Sequence, residues 1–137
     1  MNKKVVFFKN MMGQKKQCNF QHINHVFKCP VISTNRNINN NLNSLHNYIH
    51  KNKTNVVLGG DHSLSIATLS NSLKTHGNNF KVIWVDAHAD INSMSSSHSK
   101  NIHGMVLNYI CGVEYNNPRF HFIPSKKLDL KNILYIG

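Results

Sequence analysis

Four short apolar runs stand out along the chain, each bounded by polar residues: Val5 to Phe8, Val56 to Leu58, Val82 to Val85 and Ile133 to Ile136. Each is rich in β-branched or aromatic residues and too short for an ordinary helix, so each is predicted to be a strand. The runs are continuous rather than alternating. Strands apolar on both faces are expected to be buried on both, as in a parallel sheet covered by helices. Between the runs the period changes. Leu42, Leu45 and Ile49 fall at i, i+3 and i+7, as do Ile66, Leu69 and Leu73, and each set forms one apolar helical stripe. The alternation of strand, helix and strand from residue 42 to residue 85 reads as the crossover units of an α/β fold.

Other stretches carry weaker patterns. Residues 33–43, STNRNINNNLN, read as a loop or a solvated approach to a helix. Residues 11–30 have no clean period and read as irregular. The pattern loosens again over 113–131, around Pro118 and Pro124, with a short strand expected at Arg119 to Ile123. There is no internal repeat.

Composition bounds the function classes. At 137 residues the chain is one domain's worth of protein. Sixteen Lys plus Arg against five Asp plus Glu give a net charge of +11, which by itself suggests a polyanionic partner. The bases are fourteen Lys and only two Arg, scattered in singles and pairs, and 22 residues are Asn. Bidentate phosphate and base recognition favours Arg, and basic tails come as runs, so the charge is a weak functional signal and a nucleic-acid partner is not the expectation. No apolar run is long enough to span a bilayer or form a signal-peptide core, which excludes a membrane role and leads to the expectation of a cytoplasmic protein. Cys18, Cys29 and Cys111 are odd in number and lack metal-ligand spacing, so they read as reduced packing residues.

The scarce residue is the carboxylate: Asp61, Asp86, Asp90, Glu114 and Asp129 are all there are. Directly after the strand at 82–85 come Asp86, His88 and Asp90, at every second position with alanines between. In extended backbone that spacing puts the three side chains on one side, just past the carboxyl end of a strand, where open α/β sheets place ligands. The mixed oxygen and nitrogen set suits Mn, Fe or Zn better than Ca. A lone Asp or His after a strand is ordinarily a cap or turn residue, and on spacing alone both readings stay open. The run Gly59, Gly60, Asp61, His62, Ser63 forms a second constellation, a strand turning through glycines into a helix capped by Asp61 or Ser63. Turn chemistry accounts for all of these except His62, which is a candidate fourth ligand from a neighbouring parallel strand.

LGGDHSLSIAT, VIWVDAHADIN and NIHGM, in that order, resemble the successive signatures of the ureohydrolase superfamily and, within it, of arginase. Agmatinase-type members share the first block and the DAH core, and DAHADIN followed by NIHGM is closer to arginase. The resemblance runs from about Val56 to Cys111, with a weaker match in NILYIG. It implies a three-layer αβα fold around a mainly parallel sheet, with a pair of Mn²⁺ ions. His62 and Asp90 would hold one ion, His88 the other, and Asp86 would bridge them. In the intact family a metal-bridged hydroxide hydrolyses L-arginine to L-ornithine and urea. His103 would be the acid/base, and Asn92, Ser97, Ser99 and Asn101 would meet the substrate's α-carboxylate and α-amino groups. A homo-oligomer is implied for the family.

The sequence departs from that pattern in ways that set further expectations. The family's later Asp-x-Asp motif has no counterpart, and the only acids after residue 90 are Glu114 and Asp129. Two dications would bring +4 against −2 from Asp86 and Asp90, so at most one ion is expected to be well liganded. Cys18 stands where a glycine is usual, Met94 where a proline is, and Lys100 where a glycine is. Residues 1–137 are therefore expected to be a partial arginase-like domain, its fold incomplete, truncated before the carboxy-terminal half and inactive or impaired. A non-catalytic arginase-like binding subunit and an agmatinase-type fragment are the alternatives.

Overall fold

The structure is a computed structural model of the 137-residue chain and describes residues 4–8, 31–32, 36–114 and 120–137. All four expected strands form, as β1 (Val5–Phe8), β3 (Val56–Gly59), β4 (Val82–Val85) and β5 (Ile133–Ile136), together with a two-residue β2 (Val31–Ile32). Every pairing is parallel. One sheet has the order β2-β1-β3, with Phe7 opposite Val31 and Leu58; the other pairs β4 with β5, with Trp84 opposite Tyr135.

Two helices fill the connections. Helix α1 (Ile38–Asn52) buries Ile38, Asn41, Leu42, Leu45, His46 and Ile49, the expected stripe extended by one turn toward its start. The Asn-rich stretch is therefore not all loop. Asn37 takes the N-cap, its side chain accepting from the backbone N–H groups of Asn39 and Asn40, and the helix runs through the remaining asparagines. Helix α2 (Leu64–His76) buries Ile66, Ala67, Ser70 and Leu73, with Leu69 half-buried beside them. It ends at Gly77, whose φ of 59° belongs to the left-handed region that glycine tolerates. Helix α1 packs on α2, and α2 on the short α3 (Val106–Cys111).

Burial of both strand faces, expected for every run, holds for β1, is only partial for β3 and fails for β4 and β5. Val6 and Phe8 enter the main core, and Phe7 on the opposite face is equally inaccessible. In β4, Val82 and Trp84 are buried while Ile83 and Val85 are 65% and 71% exposed. Their partners across the ladder, Leu134 and Ile136, are exposed as well. Among the described residues no second layer covers this face. The short strand expected at 119–123 is a further correction: Ile123 donates to the Phe120 carbonyl in a turn, and Phe120 packs edge-on to Tyr109 and tilted against Phe122. Aromatic packing took those side chains inward without a ladder partner. The irregular segment 11–30 and Cys18 lie outside the described residues. No helix among the described residues is long and apolar enough to cross a membrane.

Candidate metal centre

The turn from β3 into α2 is shaped by close approach. A Cβ on Gly59 would meet Leu64 Cδ2 and come within 3.3 Å of the Phe8 carbonyl oxygen, so a side chain there would require the Leu64 side chain to move and β1 to give slightly. Asp61, buried, accepts the Ser63 N–H at 2.8 Å and closes the turn, while the Ser63 side chain makes no capping bond. That geometry carries His62 over the end of β4, where its ring stacks on Trp84 with centroids 4.2 Å apart and planes 19° from parallel.

His62 Nδ1 lies 2.9 Å from Asp86 Oδ2 and 2.8 Å from Asp90 Oδ2. The ligand atoms of His62, Asp86 and Asp90 all fall within 4.8 Å of one another, and among the described residues this is the group able to hold a metal ion. Hydrogen bonding to Asp90 leads the causes that raise the His62 pKa, with burial opposing it and the Asp86 charge adding to it. The Asp86 pKa is lowered, chiefly because its carboxylate accepts the His88 backbone N–H at 2.9 Å.

The three acids and bases of DAHAD do not meet as an extended strand would bring them together. Residues 86–88 are bent, and Asp90 sits at φ 47°. The bend turns Asp86 and Asp90 toward His62 and leaves His88 outward, its side chain 83% exposed and Nδ1 3.5 Å from Asp86 Oδ1. One nitrogen and two carboxylate oxygens form a donor set suited to a borderline dication, and the two carboxylates that raise the His62 pKa mark the place where positive charge is favoured.

All nine residues singled out in the sequence line one open cleft of about 530 Å³: His62, Asp86, His88, Asp90, Asn92, Ser97, Ser99, Asn101 and His103, with Ala89, Ile91 and Gly104 between them. His103 stands on a 3₁₀ turn (Ile102–Met105) that enters α3. The serine-rich wall folds on itself: Ser93 N donates to Ser96 Oγ, Ser97 N to the Ser93 carbonyl, and Ser96 Oγ to Asn92 Oδ1. Glu114 Oε1 accepts from Ser95 Oγ at 2.5 Å, and Lys100, at φ 56°, reaches back to the Met94 carbonyl. Trp84 was not singled out in the sequence. The same alternation, run back from Asp86 into the strand, places it on the ligand side.

Three comparisons bear on this site. The model of the arginase family matches residues 6–137. The arginase of Neurospora crassa is 38% identical over 100 residues, covering 68% of this chain and 28% of that protein. Among solved structures, the arginase of Bacillus subtilis superposes with a TM-score of 0.75 at 26% identity, over 98% of this chain and 55% of that one. The Entamoeba histolytica arginase in complex with L-ornithine gives 0.72 at 25% identity, over 100% of this chain and 58% of that one. These structures share the αβα fold expected from the sequence. The chain spans little more than half the length of the solved structures it matches and under a third of the curated relative.

Proposed function

The chain belongs to the arginase family, and from that premise we propose that it carries the amino-terminal share of a ureohydrolase site, as a partial domain over residues 1–137. In this reading His62, Asp86 and Asp90 hold one divalent cation, with Mn²⁺ the ion favoured by the resemblance, and His88 is the ligand left for a second. When bound, the cation supplies the positive charge that eases deprotonation of water and offsets negative charge developing at the scissile carbon. His103 transfers protons at the mouth of the cleft, a task that suits an imidazole. Asn92, Ser97, Ser99 and Asn101 present amide and hydroxyl groups to the α-carboxylate and α-amino group of L-arginine. Convergence of one imidazole and two carboxylates inside a cleft lined by all of these residues supports the reading.

Charge balance limits what this chain does alone. None of the three remaining acids lines the cleft: Asp61 accepts the Ser63 N–H in the turn, Glu114 is bonded to Ser95, and Asp129 is paired with Lys131 at 2.7 Å. Two carboxylates offset one dication and leave a second uncompensated. The 137-residue chain with Mn²⁺ is therefore expected to release no urea from L-arginine above background, in a colorimetric assay with agmatine run beside it. Turnover of L-arginine at rates ordinary for enzymes would overturn the assignment of an incomplete site, and turnover of agmatine alone would move the substrate class. The bare face of β4 and β5 favours a second reading, a non-catalytic subunit that docks through it. Co-purification with an intact arginase is the test of that reading.

A further inference from the structure

Beyond β4 the backbone of residues 86–92 is held at its ends by the Asp86 N–H on the Ile136 carbonyl at 3.1 Å and the Asn92 N–H on the Gly104 carbonyl at 3.2 Å, and between them Asp90 holds a φ of 47° that L-residues seldom adopt. Asp86 and Asp90 carry like charges into one small volume. Such a segment needs outside support to keep both carboxylates aimed at His62, and three of its carbonyl groups receive it. Tyr135, in β5, donates its hydroxyl to the Ala89 carbonyl at 2.8 Å. The backbone N–H of Leu107, in the first turn of α3, donates to the Asp90 carbonyl at 2.9 Å. Asn108, 6% exposed, donates Nδ2 to the Asn92 carbonyl at 3.1 Å while its Oδ1 accepts the Glu114 N–H at 3.1 Å. The donors come from two separate elements and meet the segment on consecutive or near-consecutive residues.

We propose that Tyr135 and Asn108 are positioning residues that clamp the Ala89–Asn92 backbone, so that Asp86 and Asp90 are preset for a divalent cation before it binds. Neither side chain touches the cation in this account; each acts through a carbonyl of the ligand-bearing segment. The inference rests on the metal-binding reading above for its functional consequence, and on the hydrogen bonds alone for the clamp. Unclamped, the segment must be ordered by the cation itself, and affinity falls by the cost of that ordering.

Tyr135→Phe removes only a hydroxyl from a ring that is 41% exposed. Asn108→Asp keeps the size and the acceptor for Glu114 and loses the donor to Asn92. Tyr135→Phe is expected to weaken Mn²⁺ binding by about three- to tenfold in calorimetric titration of the 137-residue chain, the range for one lost hydrogen bond, and Asn108→Asp, which also sets a carboxylate against the Asn92 carbonyl, by at least as much. The visible absorption of bound Co²⁺, which reads ligand geometry, is expected to shift. Ile49→Val, a core truncation in α1, is expected to lower thermal stability and leave the Mn²⁺ affinity unchanged. A second readout needs no metal: amide hydrogen exchange over residues 86–92 is expected to speed up in Tyr135→Phe and Asn108→Asp and not in Ile49→Val. Wild-type Mn²⁺ affinity in both clamp variants, or an equal loss in Ile49→Val, overturns the proposal. If the wild-type chain takes up no Mn²⁺, the metal-binding reading fails, and exchange over 86–92 then decides the clamp by itself, unchanged rates overturning it.

Discussion

Strand β4 offers an internal control, because neighbouring residues on one short strand face opposite environments. Val82 and Trp84 are 8% and 4% exposed, while Ile83 and Val85 are 65% and 71% exposed. Complete burial of a Val or Ile side chain is worth about 1.5–3 kcal/mol, and side chains that keep roughly a third of that burial retain about 0.5–1 kcal/mol each. Threonine preserves β-branching, so Ile83→Thr and Val85→Thr are each expected to cost less than about 1 kcal/mol. Trp84→Ala empties a core position and removes the ring under His62, with an expected cost of about 3–5 kcal/mol. Urea unfolding followed by far-UV circular dichroism separates these values, with midpoints moving at constant slope. Sedimentation velocity in parallel is expected to show less self-association in the threonine variants, since Ile83, Val85, Leu134 and Ile136 form an exposed apolar face. A loss above about 2 kcal/mol for Ile83→Thr at every protein concentration would refute the placement of this face in solvent.

Two further outcomes concern stability away from the cleft. His46 is 2% exposed and packs near Phe122, and burial is the leading cause that lowers its pKa, with Lys74 and His50 pushing the same way. The unfolded chain therefore binds the proton more readily, so its contribution to stability is intact above about pH 6.5, falls as the pH drops below that value, and levels off under the lower folded-state pKa. Thermal melts from pH 7.5 to 4.5 are expected to lose less in His46→Leu than in the wild-type chain; parallel curves would contradict this. Asn37→Ala removes an acceptor shared by two backbone N–H groups and is expected to cost about 1 kcal/mol, a drop of a few degrees in the melting temperature. Asn37→Asp keeps the cap and adds the negative charge that the first turn of α1 lacks, so it is expected to match or exceed the wild-type stability.

The strands and helical stripes were legible because their signal is local: a continuous apolar run or a 3.6-residue period survives whatever surrounds it. Coverage was not legible. The runs at β1 and β4 look alike in sequence, yet one is buried on both faces and the other on one, since coverage depends on layers supplied from elsewhere in the fold. The cleft was legible as residue types at fixed spacing, while its internal geometry was not. Period two in DAHAD implied three side chains on one side of a strand; a left-handed residue at Asp90 instead brings Asp86 and Asp90 to His62 and turns His88 outward. Asn108 and Tyr135 carry no local signal, because their roles arise from contacts across 16 to 46 residues, in the bonds from Asn108 to Asn92 and from Tyr135 to Ala89.

Mn²⁺ titration followed by electron paramagnetic resonance tests directly whether His62, Asp86 and Asp90 form one cation site in this chain. A single tight ion per chain is expected, with an affinity that rises with pH as His62 gives up its proton. Asp90→Asn, where the charge goes and the shape stays, is expected to lose about a hundredfold or more. Two equally tight ions per chain, or an unchanged affinity in Asp90→Asn, would contradict that site.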